Sequence, residues 1–364
     1  MDSLLIYGSY GYTGRLIARE AAARGGSPTL AGRDGDRVAR QAEELGLQGR
    51  AIDLTDGPLE DELEAFDAVL NCAGPFERTA EPLVLACLEA GTDYLDVTGE
   101  FPVFERLRQY GETASAAGIT LLPGVGFDVV PTDCLAAMLH ERLPTADRLH
   151  LGVKSGYGFS PGTARTFVEL AGQGGVIRRN GRLLSVPAAF RSRQIDFGDG
   201  PEHAVTIPLG DVVTAAHTTG IESVEVYGAV PEWSEPLLSA TDSLRWVLER
   251  PSVERAATRA IDALVDGPDG TALATESATV WGEVVDEDSG ERRSGRLRTP
   301  NPYALTADAA VSAAERVLED GGVEDGFQTP AGAFGSEFVT ELAGIEREFL
   351  GVGPEGSAVP EPAD

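Results

Sequence analysis

The segment Gly8–Gly14 constrains the fold more than any other part of the sequence. It lies between an apolar, strand-like run over residues 4–7 and a helical pattern over residues 12–24. Glycine allows a close approach of backbone to a phosphate group, and a helix N-terminus offers unpaired N–H groups to the anion. The spacing is GxxGxxG rather than GxGxxG, but the strand–turn–helix context is that of a dinucleotide loop. We therefore predict that the cofactor pyrophosphate is bound by Gly8, Ser9, Tyr10, Gly11, Tyr12, Thr13 and Gly14.

Apolar runs and helical patterns alternate through the first 135 residues. The strand-like runs cover residues 4–7, 29–31, 50–52, 67–71, 94–97 and 119–122. Continuous apolar strands separated by helices are typical of parallel strands buried on both faces. The sequence thus predicts an α/β fold, a Rossmann-type doubly wound parallel sheet, as a dinucleotide-binding domain over residues 1–135.

The pattern changes after about residue 145. Leu149, Leu151 and Val153 alternate with polar neighbours, and similar patterns recur near residues 204–208, 221–227 and 275–285. Alternation of this kind predicts an inserted α+β domain on a mostly antiparallel sheet over residues 145–300, with helices near 163–171 and 237–248. Asn301 and Pro302 start a helix. We expect residues 301–350 to return to the Rossmann domain and residues 351–364 to be a disordered tail.

The end of the second predicted strand indicates which dinucleotide is bound. Arg33 offers a guanidinium group suited to the 2′-phosphate of NADP. Asp34 follows directly and leaves open a contact with the ribose hydroxyls of NAD. Asp53, after the third strand, is predicted to meet the adenine amino group. The segment after the fourth strand should run beside the nicotinamide, and it contains Asn71, Cys72, Ala73, Gly74 and Pro75.

The charge balance argues against one class of partner. With 29 basic and 59 acidic residues the formal net charge is −30, and Lys154 is the sole lysine. Such a chain repels phosphate backbones, so we expect no nucleic-acid partner. An acidic, almost lysine-free surface is typical of extreme halophiles, whose molar salt screens the self-repulsion.

The cysteines and the N-terminus indicate the cellular compartment of the protein. Cys72, Cys87 and Cys134 form no CxxC pair, and buried reduced thiols are typical of a cytoplasm. The N-terminal apolar run is too short for a signal peptide, and no stretch reaches the length of a membrane span. The sequence predicts a cytoplasmic protein without an integral membrane segment.

Several motifs together resemble the saccharopine dehydrogenase family. They are Gly8–Gly14, Ala31-Gly32-Arg33, Asn71–Phe76, the run from Tyr94 to Glu100, the run from Gly124 to Asp133, and Gly326–Ala331. The similarity extends to the branch of saccharopine dehydrogenase-like oxidoreductases and trans-acting enoyl reductases. It is strong over residues 1–135 and weak through the middle. Ser9 and Tyr10 replace the usual alanine and threonine. The resemblance implies NADP-linked reduction of unsaturated lipid or polyketide intermediates, without naming a substrate.

Candidate catalytic residues follow from the need for a proton donor beside the hydride acceptor. Lys154 and Tyr157 lie at the end of the first strand of the second domain, and a lysine can shift its pKa where an arginine cannot. Asp128 follows a glycine-rich turn and is a third candidate. Glu100 is another possibility. The four histidines show no metal-binding spacing, so no metal site is predicted.

We therefore expect an NADP-dependent oxidoreductase that reduces an enoyl or carbonyl group of a small, apolar, lipid-like substrate. A saccharopine-type amino-acid dehydrogenase and a non-catalytic NADP sensor remain the alternatives, since the fold alone excludes neither. A homodimer is left open.

Overall fold

The computed structural model describes residues 1–155, 174–235, 238, 276–319 and 322–350. Tyr157, the predicted helix at 163–171, all but residue 238 of the predicted helix at 237–248, and the tail at 351–364 lie outside these residues. The chain forms two compact units. The first comprises residues 1–134 and 302–343, and the second comprises the remainder.

The first unit is built on a parallel sheet. Its strands are β1 Leu4–Tyr7, β2 Thr29–Gly32, β3 Gln48–Ala51, β4 Ala68–Asn71, β5 Asp93–Asp96, β6 Thr120–Leu122 and β15 Gly326–Phe327. Their order across the sheet is β15-β6-β5-β4-β1-β2-β3, and every pairing is parallel. The predicted Rossmann-type sheet is therefore confirmed.

Helices connect these strands. They are α1 Tyr12–Ala23, α2 Gly35–Leu45, α3 Leu59–Leu63, α4 Phe76–Ala90, α5 Phe101–Arg108, α6 Gly111–Ala117, α9 Pro302–Val317, α10 Pro330–Phe334 and α11 Phe338–Glu341. Helix α7 Val130–Arg142 carries the chain into the second unit. Strands β1, β2 and β4 are buried at every residue, as the continuous apolar runs predict.

The strand order places a crevice at the carboxyl ends of these strands. Strand β1 lies between β2 and β4. The chain therefore leaves β1 and β4 toward opposite sides of the sheet. Ligands of open α/β sheets bind at such a switch point, outside the carboxyl ends of the strands. Gly8 follows the carboxyl end of β1, and Cys72 follows that of β4.

The second unit contains a mixed sheet. Its strands are β7 Arg148–Ser155, β8 Gly175–Arg179, β9 Arg182–Val186, β10 Ser192–Asp196, β11 Pro201–Thr206, β12 Ser223–Ala229, β13 Ser277–Val285, β14 Arg292–Pro300 and β16 Glu346–Leu350. The main order is β10-β11-β12-β7-β13-β14-β16, with β8 beside β12 and β9 beside β8. Strands β7 and β12 are parallel and the other recorded pairs are antiparallel, which confirms a mostly antiparallel α+β domain. Helix α8 Asp211–Thr219 lies in this unit.

The C-terminal segment divides between the two units. Residues 302–343 belong to the first unit, as sequence reasoning expects for residues 301–350 as a whole. Strand β16, however, pairs antiparallel with β14 in the second sheet, so that expectation needs correction there. The first three residues of β16 are charged and exposed, and its place is set by the free edge of a strand about 50 residues earlier.

No helix within the described ranges has both the length and the apolar character needed to span a bilayer.

Candidate dinucleotide site

The loop between β1 and α1 requires its glycines. Gly8 has a φ of +77°, and a Cβ atom at this position would lie 2.8 Å from the backbone nitrogen of Ala73. A Cβ atom at Gly14 would lie 2.4 Å from the carbonyl oxygen of Gly8. The first loop is thus packed against both the loop after β4 and the start of α1. This close packing leaves no room for larger residues at either position.

The N-terminus of α1 is open to an anion. Gly11 is its N-cap, no side chain caps the helix, and its first turn contains no acidic residue. The Ser9 hydroxyl is buried and has no hydrogen-bond partner within the described part of the chain. Unpaired N–H groups at a helix start and an unsatisfied hydroxyl suit a phosphate group. These residues therefore fit a dinucleotide pyrophosphate.

The loop after β4 is held by a buried polar network. Asn71 Oδ1 accepts a hydrogen bond from the Ala73 N–H at 2.9 Å. Asn71 Nδ2 donates to the hydroxyls of Thr79 and Tyr94, both at 3.1 Å. The Asn71 side chain thus shapes the loop rather than projecting into the crevice. Burial raises the pKa of Cys72, so its sulfur stays a thiol.

Asp96 extends this network, and sequence reasoning did not single it out as a site residue. Its Oδ2 accepts from the Tyr94 hydroxyl at 2.9 Å, and its Oδ1 accepts from the N–H groups of Thr98 and Gly124 at 3.0 and 2.9 Å. Burial raises the pKa of Asp96 to about 6, although these three hydrogen bonds oppose the rise. A carboxylate between the apolar residues Leu95 and Val97 was the signal that could have identified it.

Glu100 has a structural contact at the same carboxyl end of the sheet. Its two carboxylate oxygens accept hydrogen bonds from the N–H groups of Phe76 and Glu77 at 3.1 and 2.9 Å, at the start of α4. A carboxylate suits this position because the helix N-terminus is positive. Glu100 therefore stabilises the helix that follows the nicotinamide-side loop.

Arg33 and Asp34, the two charged residues just after β2, have different contacts. Asp34 Oδ1 accepts a hydrogen bond from the Arg37 N–H at 3.1 Å and caps helix α2. The exposed Arg33 side chain makes no hydrogen bond or ion pair with the residues that the structure describes. Asp53 Oδ1 accepts from the Thr55 N–H and hydroxyl, and these bonds, with the charge of Arg33, lower the pKa of Asp53. The strand end thus offers an unused guanidinium group.

The candidate catalytic residues lie in different places. Lys154 is in the second unit, where its ammonium contacts Glu202 and lies 3.6 Å from Asp199 Oδ2. Burial opposes the charged form, but these two carboxylates outweigh it and raise the pKa of Lys154. Asp128 is in the first unit, exposed, with its carboxylate beside Gly99. Within the described ranges, no cluster of side chains could hold a metal ion.

Comparison with known proteins identifies the first unit. Residues 4–122 match the NADP-binding domain of saccharopine dehydrogenase. A trans-acting enoyl reductase of Mycobacterium tuberculosis is 34% identical over 148 residues, which cover 38% of this chain and 35% of that protein. A saccharopine dehydrogenase-like oxidoreductase of Bos taurus is 32% identical over 152 residues, 36% of this chain and 35% of that protein. The chain therefore spans about a third of the length of the curated relatives it matches.

A solved structure shares the fold. Apo saccharopine dehydrogenase (L-Glu forming) from Saccharomyces cerevisiae aligns with a TM-score of 0.63 over 96% of this chain and 99% of that chain, at 12% sequence identity. The sequence resemblance to saccharopine dehydrogenase is borne out over residues 4–122 by the domain match, and this solved structure shows that the fold is shared as well. The domain match indicates a nicotinamide dinucleotide as cofactor, in an oxidoreductase family.

Proposed function

We propose that this chain, whose first unit matches the NADP-binding domain of saccharopine dehydrogenase, is an NADP-dependent reductase of an enoyl or carbonyl group on an apolar, lipid-like substrate. The observation that carries the NADP preference is the contrast at the end of β2. The Arg33 side chain makes no hydrogen bond or ion pair within the described residues, while Asp34 is engaged as the cap of α2. A free guanidinium suits a 2′-phosphate, and a capping carboxylate is directed away from the ribose-binding role it has in NAD enzymes.

The reaction class is supported by the relatives. The M. tuberculosis protein is named a trans-acting enoyl reductase, and it is similar to this chain over 148 residues. Enoyl reduction adds a hydride to one carbon of the double bond and a proton to the other. When bound, the reduced nicotinamide supplies the hydride. The chain must then bind and orient that cofactor and hold the proton.

Named residues serve these tasks. The N–H groups at the start of α1 bind the pyrophosphate, and Arg33 binds the 2′-phosphate. The loop fixed by Asn71 lies at the switch point, where the nicotinamide half would run. Lys154, kept protonated by Glu202 and Asp199, remains the candidate proton donor with Asp128 and Tyr157.

A cavity in the second unit favours a second candidate function. It has a volume of about 340 Å³, and its lining includes Lys154, Thr279, Arg298 and Glu346. Arg298 and Glu346 lie opposite each other on β14 and β16, and their side chains make no hydrogen bond or ion pair within the described ranges. A guanidinium and a carboxylate of this kind complement the two charges of an amino acid. This polar cavity supports the amino-acid dehydrogenase alternative.

An absorbance assay tests the proposal. The purified protein is mixed with NADPH and a panel of enoyl, keto and imino substrates, and the loss of reduced-nicotinamide absorbance is followed. Turnover of enoyl or keto lipids supports the reductase. Turnover of an imino acid, abolished by Arg298→Ala, supports the amino-acid dehydrogenase. Tight NADPH binding without turnover of any class would instead indicate a sensor.

A further inference from the structure

Tyr10 packs against the end of strand β2. A Cβ atom at Gly32 would lie 2.6 Å from Tyr10 Cε1, so the strand accommodates the ring because residue 32 is glycine. The Tyr10 hydroxyl accepts a hydrogen bond from the Asp34 N–H at 3.3 Å. The phosphate loop and the ribose end of the site are thus joined through one aromatic side chain.

Arg37 stacks on this ring. Its guanidinium carbon lies 4.3 Å from the Tyr10 ring centroid, and its Nη2 donates to the Tyr10 carbonyl oxygen at 3.3 Å. No carboxylate lies within ion-pair distance of Arg37 in the described part of the chain. Stacking uses the face of a guanidinium and leaves its edge N–H groups free. Arg37 is therefore held in place with most of its donors unused.

The position of Arg37 is electrostatically unusual. It lies in the first turn of α2, where the helix macrodipole disfavours a cation. Arg33 precedes the same helix and also has unused donors. Asp34 and Asp36 lie at the start of α2 and Asp53 follows the neighbouring strand β3, so Arg33 alone would not offset the negative charge beside this strand end. A second cation is needed before a phosphate gains from binding here.

We infer that Tyr10 positions Arg37 as a second 2′-phosphate-binding residue, so that Arg33 and Arg37 together select NADP. The inference rests on the proposed NADP preference. A 2′-phosphate would bring together the two guanidinium groups and the positive end of α2. Tyr10 acts through Arg37 and does not itself contact the phosphate.

Calorimetric titration of the full chain with NADP⁺, NAD⁺, 2′,5′-ADP and 5′-AMP tests this role. Arg37→Gln should weaken NADP⁺ and 2′,5′-ADP binding by about tenfold and leave NAD⁺ and 5′-AMP within about twofold. Arg40→Gln is the matched control. It removes the same charge about one turn further along α2, where Arg40 Nε donates to the Asp36 carbonyl oxygen, and should leave the NADP⁺/NAD⁺ ratio unchanged.

Variants of Tyr10 separate positioning from direct contact. Tyr10→Phe keeps the ring and should keep the NADP⁺/NAD⁺ ratio. Tyr10→Thr removes the ring and should lower the ratio as Arg37→Gln does, and the double variant should lose little more than either single one. Fully additive losses would show that Tyr10 does not act through Arg37 and would overturn the inference.

The remaining outcomes are also decisive. Equal weakening of NADP⁺ and NAD⁺ by Arg37→Gln would mean that Arg37 contacts the adenine or supports the fold, and would overturn the inference. An unchanged ratio in that variant, with a wild type that prefers NADP⁺, would overturn it while leaving the proposed function intact. A wild type without preference for NADP⁺ would overturn the NADP assignment itself.

Discussion

Arg33 is the residue on which the cofactor assignment depends most directly. Its side chain is exposed and makes no hydrogen bond or ion pair with the described residues, so little else in the fold should depend on it. We expect Arg33→Ala to weaken NADPH binding by about one to two decades, the value of a charge-assisted contact of roughly 1.5–3 kcal/mol. NADH binding should be nearly unchanged. Fluorescence titration with both cofactors measures this.

Asp34→Asn is the companion to that experiment. It keeps an oxygen to accept the Arg37 N–H and removes a negative charge beside the phosphate, so NADPH affinity should rise slightly. A loss of NADH affinity in this variant, with a wild type that prefers NADH, would show that Asp34 contacts the ribose and that the cofactor is NAD.

Lys154 gives a prediction about turnover. If it donates the proton, Lys154→Ala should lower kcat by roughly a hundredfold or more while the KM for NADPH stays the same. Glu202→Gln removes one of the carboxylates that raise the pKa of Lys154, so the alkaline decline of kcat should move to lower pH. Steady-state rates across pH measure both effects. Unaltered kcat in Lys154→Ala would leave Asp128 and Tyr157 as the candidates.

Asp96 predicts a pH effect on stability. Its pKa rises from an ordinary value of 3.8 to about 6 in the folded chain, so the folded state holds this proton more strongly than the unfolded state does. Its contribution to the free energy of unfolding therefore falls as pH rises from about 4 to 6, by about 2–3 kcal/mol, and stays constant above that. Asp96→Asn removes this contribution. Urea unfolding of both proteins should give a difference that changes across this window, and a constant difference would contradict the prediction.

At the scale of elements, the second and third glycines of the phosphate loop, Gly11 and Gly14, should behave differently. A Cβ atom at Gly11 meets only the Gly8 carbonyl oxygen, at 3.2 Å, and Gly11 has a φ of −64° that other residues adopt readily. Gly11→Val should therefore fold and lose cofactor binding, because its side chain fills the phosphate position. Gly14→Val should also lower the melting temperature, since its Cβ would overlap the Gly8 backbone. Retained affinity in a folded Gly11→Val protein would show that the loop does not bind the pyrophosphate.

Local elements of the first unit were predictable, whereas the contacts between them were not. Strand β1, the glycine loop and α1 follow from one short segment with its own periodicity. The contact between Asn71 and the Tyr94–Asp96 pair depends instead on the pairing of β4 with β5, which brings Asn71 opposite Asp96. The capping role of Asp34 could not be predicted from the sequence either. A helix cap and a ribose ligand both require an acidic residue at the same strand end, so the sequence does not distinguish the two roles.

At the scale of the whole molecule, the charge of −30 predicts a dependence on salt. Repulsion among exposed carboxylates favours the unfolded chain at low ionic strength, and molar salt reduces the Debye length to about 3 Å. We expect the melting temperature to rise by roughly 5–10 °C between dilute buffer and molar KCl, equivalent to a few kcal/mol. Calorimetric melting at several KCl concentrations checks this. A constant melting temperature would remove the basis for a halophilic source.

The division of the C-terminal segment between the two units bears on biosynthesis. Phe327 of β15 pairs with Leu121 of β6, and Tyr303 at the start of α9 packs edge-on against Tyr12, with ring centroids 4.9 Å apart. A ribosome therefore releases residues 135–301 before it supplies residues 302–343, which complete the first unit. Until then, the nascent Rossmann sheet has an open edge beyond β6 and an uncovered α1. Translation exposes these surfaces to chaperones and to neighbouring nascent chains for as long as the insertion takes to be made.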